Sequence, residues 1–246
     1  MKLIMLSFVI FICFTLNAGA SSLKIAIGLA LPPYIISDEN RGMEYDIVEA
    51  VLNSRGYEIE PYYFPFARIV KSMRDKLVDG VMTINEQSGL ENVYYTNSHI
   101  TYQNVAISLA SEQLRIDSIS DLADYSIIAF QNAKLYLGDE YRQTVENNPK
   151  YRELAQQDNQ VALFFIGRTQ VYLGDINIFH YYRATLDNVD TTAEITVHPI
   201  FPKTYYKVAF HDRQLRDEFN TGLEALKKSG EYNRIIEKYS RNLDQQ

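Results

Sequence analysis

From residue 23 onward, short apolar runs alternate with segments of helical periodicity, and this alternation constrains the fold more than any other feature. LKIAIGLAL (residues 23 to 31) reads as a buried strand, and PPYIISDENRG as the turn-rich loop behind it. EYDIVEAVLNSRG puts Ile47, Val48, Val51 and Leu52 on one helical face, with Gly56 as its stop. YEIEPYYF is a second strand. ARIVKSMRDKL repeats the helical spacing with Ile69, Val70, Met73 and Leu77, and DGVMTI is a third strand. Strands alternating with helices give an α/β fold with a mainly parallel sheet.

The second half repeats the pattern. SIIAF (126 to 130) reads as a strand and KLYLGDEYRQTV as a helix, and VALFFIG followed by RTQVYLGD reads as helix, turn and strand. The echo predicts two α/β lobes. The chain closes with a helical stripe of Leu215, Phe219, Leu223 and Leu226, ended by Gly230, and a shorter one of Ile235, Ile236 and Tyr239.

Hydrophobic residues at 46% and aromatic residues at 13% suit a packed core. A formal charge of −7, with no basic run, argues against a nucleic-acid partner. His99, His180, His198 and His211 lack metal-ligand spacing and read as surface or capping residues, so no metal or other cofactor is expected. At the amino terminus, Lys2, the apolar stretch Leu3 to Leu16 and NAGA ending at Ala20 make a secretory signal peptide cleaved after Ala20. The apolar run is shorter than the roughly 20 residues of a membrane-spanning helix. The only cysteine, Cys13, lies in this leader, so the mature chain offers no disulfide, thiolate ligand or cysteine nucleophile.

Three segments carry a family resemblance. LPPYIISDENRGMEYDIVEAVLNSRG is similar to an opening with a Pro-Pro-aromatic loop and Gly-x-[DE]-x-[DE]-[IL] entering the first helix. GRTQVYLGDINIFHYYR resembles a Gly-Arg-x-x-x-x-x-x-Asp segment, and LRDEFNTGLEALKKSGEYNRIIEKYS resembles the closing helices. Together they resemble the family 3 periplasmic solute-binding proteins, known as receptors for polar amino acids in ABC importers. The resemblance implies a type II periplasmic-binding fold: two lobes, each a mainly parallel sheet flanked by helices, joined by a double-crossover hinge. Lobe one would combine residues 22–109 with 204–246 and lobe two would be 110–203, the chain crossing near Ser108 to Glu112 and again near Phe201 to Tyr205. A continuous tandem of two domains would leave the C-terminal helices without a sheet to cover.

In open α/β sheets, ligands bind at the carboxyl ends of strands. Tyr34 follows the first strand, where the family places an aromatic that stacks on the ligand; covering the core is its other reading. Arg68 begins a helix, an unfavourable place for a cation in the helix dipole, which suits pairing with an anion or a solvated surface role. Thr83 and Asn85 follow the third strand and offer polar contacts. Amino-acid-binding members carry an arginine in this segment that forks onto the ligand carboxylate. Here that position is Gly89, and no arginine or lysine lies between Lys76 and Arg115. This departure argues against an ordinary α-amino acid as ligand.

Gln131 and Asn132 open a helix whose free N–H groups suit an anion. Asp175, in TQVYLGDINIF, falls on the family's ammonium-binding aspartate and also suits an N-cap. One oxygen can cap while the other faces the cleft.

No serine-nucleophile elbow, metalloprotease helix or phosphate loop is present, so no catalytic residues are expected. The reading is a monomeric periplasmic protein that captures a small polar molecule and presents it to an inner-membrane ABC permease. A soluble sensor presenting the liganded form to a membrane receptor, or a dehydratase on the same fold, are the alternatives. Mass measurement on protein secreted from a Gram-negative host should show loss of residues 1–20; a mature chain that keeps Cys13 would overturn the leader assignment.

Overall fold

The computed structural model describes residues 21–29 and 31–240, so the expected leader lies outside the described residues. The first part of the chain runs β1 (Ser21–Gly28), α1 (Met43–Asn53), β2 (Tyr57–Phe64), α2 (Phe66–Arg74) and β3 (Gly80–Ile84). Next come β4 (Tyr94–Tyr95), β5 (Ile100–Tyr102), β6 (Asn104–Leu109), β7 (Ile127–Phe130), α3 (Ala133–Tyr136), α4 (Asp139–Val145) and β8 (Tyr151–Leu154). The last part is α5 (Gln157–Phe165), β9 (Val171–Asp175), α6 (Ile176–Thr185), β10 (Ile195–His198), β11 (Thr204–Phe210), α7 (Arg213–Lys228) and α8 (Glu231–Ser240).

Two mixed sheets form, each with parallel strands on one side and antiparallel strands on the other. The first has the order β2-β1-β3-β11-β4, with β5 also pairing β11. The second has the order β10-β6-β9-β7-β8. β2, β1 and β3 run parallel and β11 antiparallel to β3, while β8, β7 and β9 run parallel and β6 antiparallel to β9. This is the two-lobed α/β arrangement expected, with one correction to the first crossing. The anticipated division at residue 109 assigns Asn104–Leu109 to the first lobe, yet β6 pairs with β9 and β10 of the second sheet. Only Gln103 separates it from β5, which pairs with β11 of the first. The chain therefore changes sheets at Gln103, and it returns between His198 and Thr204.

The expected helix over 134–145 is broken in two. Gly138, at φ 92°, stops α3 and starts α4 as its N-cap. The C-terminal stripe behaves as its periodicity implies: Phe219, Leu223, Ile235 and Tyr239 are buried in the core that also holds Ile25, Ile47 and Val51. Tyr239 locks α8 onto α1, accepting from the Gly42 N–H and donating to Asp46 Oδ2 at 2.7 Å.

The start of α1 fixes the loop after β1. Its first N–H groups would be unpaired in an isolated helix. Here Met43 N–H donates to the Pro33 carbonyl at 2.8 Å and Glu44 N–H to the Tyr34 carbonyl at 3.1 Å. This approach needs glycine at the N-cap. Gly42 sits at φ 140°, and a Cβ there would lie 2.1 Å from the Tyr34 carbonyl oxygen, a backbone atom that cannot swing away. Gly42→Ala should cost about 1–3 kcal/mol or more, which lowers the melting midpoint by several degrees at about 2–4 °C per kcal/mol. Gly56→Ala, also at positive φ but with nothing within 4 Å, separates backbone strain from the clash. Equal midpoints for the two variants would refute this account of the loop.

Candidate functional site

At the carboxyl edges of the parallel strands, two buried acids organise what the sequence scattered. Asp175 ends β9 and caps α6, accepting on Oδ1 from the Asn177 N–H at 2.9 Å and the Ile178 N–H at 3.1 Å. Its Oδ2 accepts from the Gln103 N–H at 2.8 Å, in the segment where the chain changes sheets. The Tyr34 hydroxyl, from the loop after β1, lies 3.1 and 3.2 Å from the two oxygens. Asn177 Nδ2 donates back to that hydroxyl at 2.8 Å. The expectation that Asp175 turns one oxygen to the cleft is therefore corrected. The residue is 4% exposed, and protein donors take both oxygens.

Glu44, in the first turn of α1, anchors a second cluster and is fully buried. Thr83 Oγ1 donates to Glu44 Oε1 at 2.9 Å, and the Tyr102 hydroxyl donates to Oε2 at 2.7 Å. His99 Nε2 lies 2.9 Å from Oε1, within hydrogen-bond reach, while Nδ1 is buried with no partner. His99, expected at the surface or in a cap, is thus in the core. Thr83, expected as a ligand contact, is also turned inward, with φ at 56°. A β-branched residue rarely adopts that left-handed backbone, and its hydrogen bond to Glu44 helps hold it there. The two clusters meet through aromatic rings. Tyr34 stacks on Tyr102 with centroids 3.7 Å apart and planes at 15°, and Tyr102 meets Tyr206 edge-on at 4.8 Å. Tyr34 therefore stacks on the protein, the second of its two readings.

Lobe two answers a further expectation differently. The N–H groups of Asn132 and Lys134 donate to Glu153, at 2.8 and 3.1 Å, and the Tyr151 hydroxyl donates to the same carboxylate at 2.6 Å. The anion expected at Gln131 and Asn132 is thus supplied by the chain itself, although both side chains stay exposed. Asn85 caps a short turn by accepting from the Gln87 N–H at 3.1 Å. Gly89 sits at φ 65° and accepts from the Arg74 guanidinium through its carbonyl at 3.1 Å.

Arg68 is exposed in the first turn of α2, its guanidinium 5.8 Å from the centre of the Phe64 ring. Phe64 pairs in register with Gly28, so this cation stands at the carboxyl edge of β1 and β2. Among the described residues no carboxylate pairs with it, whereas Lys207 is engaged by Glu86. No group of side chains among the described residues could hold a metal ion.

Burial drives the Asp175 carboxyl up from 3.8 to about 6, against the lowering effect of the Gln103 and Ile178 N–H groups, the Tyr34 hydroxyl and the Asn177 N–H. Burial, reinforced by Asp175, also holds the Tyr34 phenol well above its ordinary range. Because the folded value of Asp175 is raised, the native state binds its proton more readily than the unfolded chain. This contribution to stability falls as pH rises from 3.8 to about 6 and is flat above. The midpoint of the parent minus that of Asp175→Asn should therefore decline through that window. A difference that rises with pH would contradict the burial argument.

Residues 23–242 match the family model for bacterial extracellular solute-binding proteins, family 3. The arginine-binding periplasmic protein of Mannheimia haemolytica is 23% identical over 216 residues, spanning 85% of this chain and 86% of that one. An amino acid ABC transporter substrate-binding protein from Streptococcus pneumoniae, AbpA, bound to L-arginine, superposes with a TM-score of 0.66 at 16% identity over 92% of this chain and 97% of that one. The ancestral amino-acid-binding protein AncCDT-1, a precursor of cyclohexadienyl dehydratase, gives a TM-score of 0.65 at 20% identity over 89% of this chain and 95% of that one. The matched model spans nearly the whole described chain, and the fold superposes on both structures over about nine-tenths of its length; the chain belongs to the bacterial extracellular solute-binding proteins, family 3.

Proposed function

We propose that the protein captures a small polar solute between its two sheets, holds an anionic group of that solute with Arg68, and delivers it in the periplasm to an inner-membrane ABC importer. The observation that carries this reading is the placement of Arg68: exposed, at the carboxyl edge of the first sheet, and unpaired with any acid among the described residues. A guanidinium forks onto carboxylates in a planar, bidentate geometry, and that of Arg68 stands over the Phe64 ring. Exposed Leu29, whose N–H donates to the Phe64 carbonyl, and exposed Leu135 and Tyr136 on lobe two favour a solute that also carries an apolar part. The ligand is then not an α-amino acid held in the manner of a guanidinium after β3, since Gly89 occupies that position.

The protein binds its solute without converting it. A general acid or base must come within hydrogen-bond reach of the substrate. The two acids at the strand ends, Glu44 and Asp175, are instead enclosed by hydroxyl, imidazole and backbone donors of the protein.

A thermal-shift screen of organic acids, amino acids, amines and small peptides tests the reading. A ligand at 100 times its Kd adds about 2.7 kcal/mol to stability, a readily visible rise in midpoint. Anionic solutes should give the largest rises, Arg68→Gln should lower affinity for them by tenfold or more, and mass spectrometry should recover the solute unchanged. Equal affinity in parent and Arg68→Gln would refute the anchor, and a mass change in the solute would favour the dehydratase chemistry.

A further inference from the structure

A carboxylate offers about four lone-pair sites, and four donors occupy those of Asp175: the N–H groups of Gln103, Asn177 and Ile178 and the hydroxyl of Tyr34. The three backbone donors belong to the sheet crossing and to the first turn of α6, so they cannot leave without unwinding those elements. Tyr34 is the one side chain in the set. It approaches both carboxylate oxygens, receives the Asn177 amide, stacks on Tyr102 and has no exposed surface.

The geometry points to Tyr34 as a specificity-determining residue: its hydroxyl fills the place a ligand ammonium would take on Asp175, so the cleft excludes solutes that need a carboxylate partner for a cationic group. The inference rests on interlobe capture and adds a rule of exclusion to it. For a cation to reach Asp175, Tyr34 must swing out, breaking its hydrogen bond to the carboxylate, stranding the Asn177 amide and giving up the stack on Tyr102. Glu44, the buried acid of the opposite lobe, does not compensate, because it turns both oxygens to Thr83, His99 and Tyr102. The negative charge is thus present in the site and closed to the solvent side.

The test titrates putrescine, a dication without a carboxylate, into the parent, Asp175→Asn, Tyr34→Ala and the double variant, following heat of binding and thermal midpoint. The parent and Asp175→Asn should respond alike and weakly. Tyr34→Ala removes the ring beside the carboxylate and should gain putrescine affinity at least tenfold, and adding Asp175→Asn should abolish that gain. Parent binding of putrescine that falls with Asp175→Asn would overturn the inference, as would a folded Tyr34→Ala with no gain. If Tyr34→Ala does not fold, Tyr34→Leu, which keeps an apolar side chain in the core but removes the hydroxyl, takes its place: it should gain putrescine affinity, and a folded Tyr34→Leu with no gain would overturn the inference. These outcomes are independent of Arg68→Gln, which reports on the anion anchor alone.

Discussion

A charge with almost no exposed face must find its donors inside the protein, because an unpaired buried carboxylate costs more than a fold of this size can spare. Asp175 finds them on three elements that are far apart in sequence. One is the crossing at Gln103, one the first turn of α6, and one the loop after β1 that carries Tyr34. Satisfying a single side chain therefore sets the start of a helix, the path of the chain between sheets, and the seat of the first-lobe loop against the second lobe.

Glu44 repeats this logic within the first lobe, drawing Thr83 from the end of β3, His99 from the stretch before β5 and Tyr102 from its last residue. The Tyr34–Tyr102 stack joins the two clusters, so a continuous buried path of polar and aromatic groups runs from β3 to α6. Satisfied networks of this kind rigidify what they touch. Outside this network, Arg68 over Phe64 and the aliphatic Leu29 stand exposed on the edge of the first lobe.

The alternation of strands and helices was legible because each apolar face is local: Ile47, Val48, Val51 and Leu52 announce α1, and Phe219 and Leu223 announce α7. Asp175 was legible as a cap for the same reason, since a helix begins at the next residue. Its closure to ligand was not, because that depends on Tyr34, 141 positions away. Glu44 looked like a helix-start acid; its partners, 39 to 58 residues on, leave no local trace. The change of sheet at Gln103 was hidden because no glycine or proline separates β5 from β6, and the alternation in Asn104–Leu109 does not say which sheet it joins. The break at Gly138 lay in plain sight as LGD, but the flanking periodicity masked it.

Glu153 carries a consequence for the order of events during capture. Its carboxylate already sits on the N–H groups that open α3, so lobe two meets an approaching anion with a resident negative charge rather than a vacant cradle. The two jaws differ in what they offer: the first presents the exposed Arg68, while on the second Glu153, with Lys134 beside it, already holds the backbone donors. On the proposal that Arg68 is the anchor, an anionic solute lands on the first lobe, and the second lobe follows as a cover. Capture in that order would divide the kinetics, its rate following the first lobe and the lifetime of the complex the second, so that charge substitutions at Arg68 and around Glu153 would act on different halves.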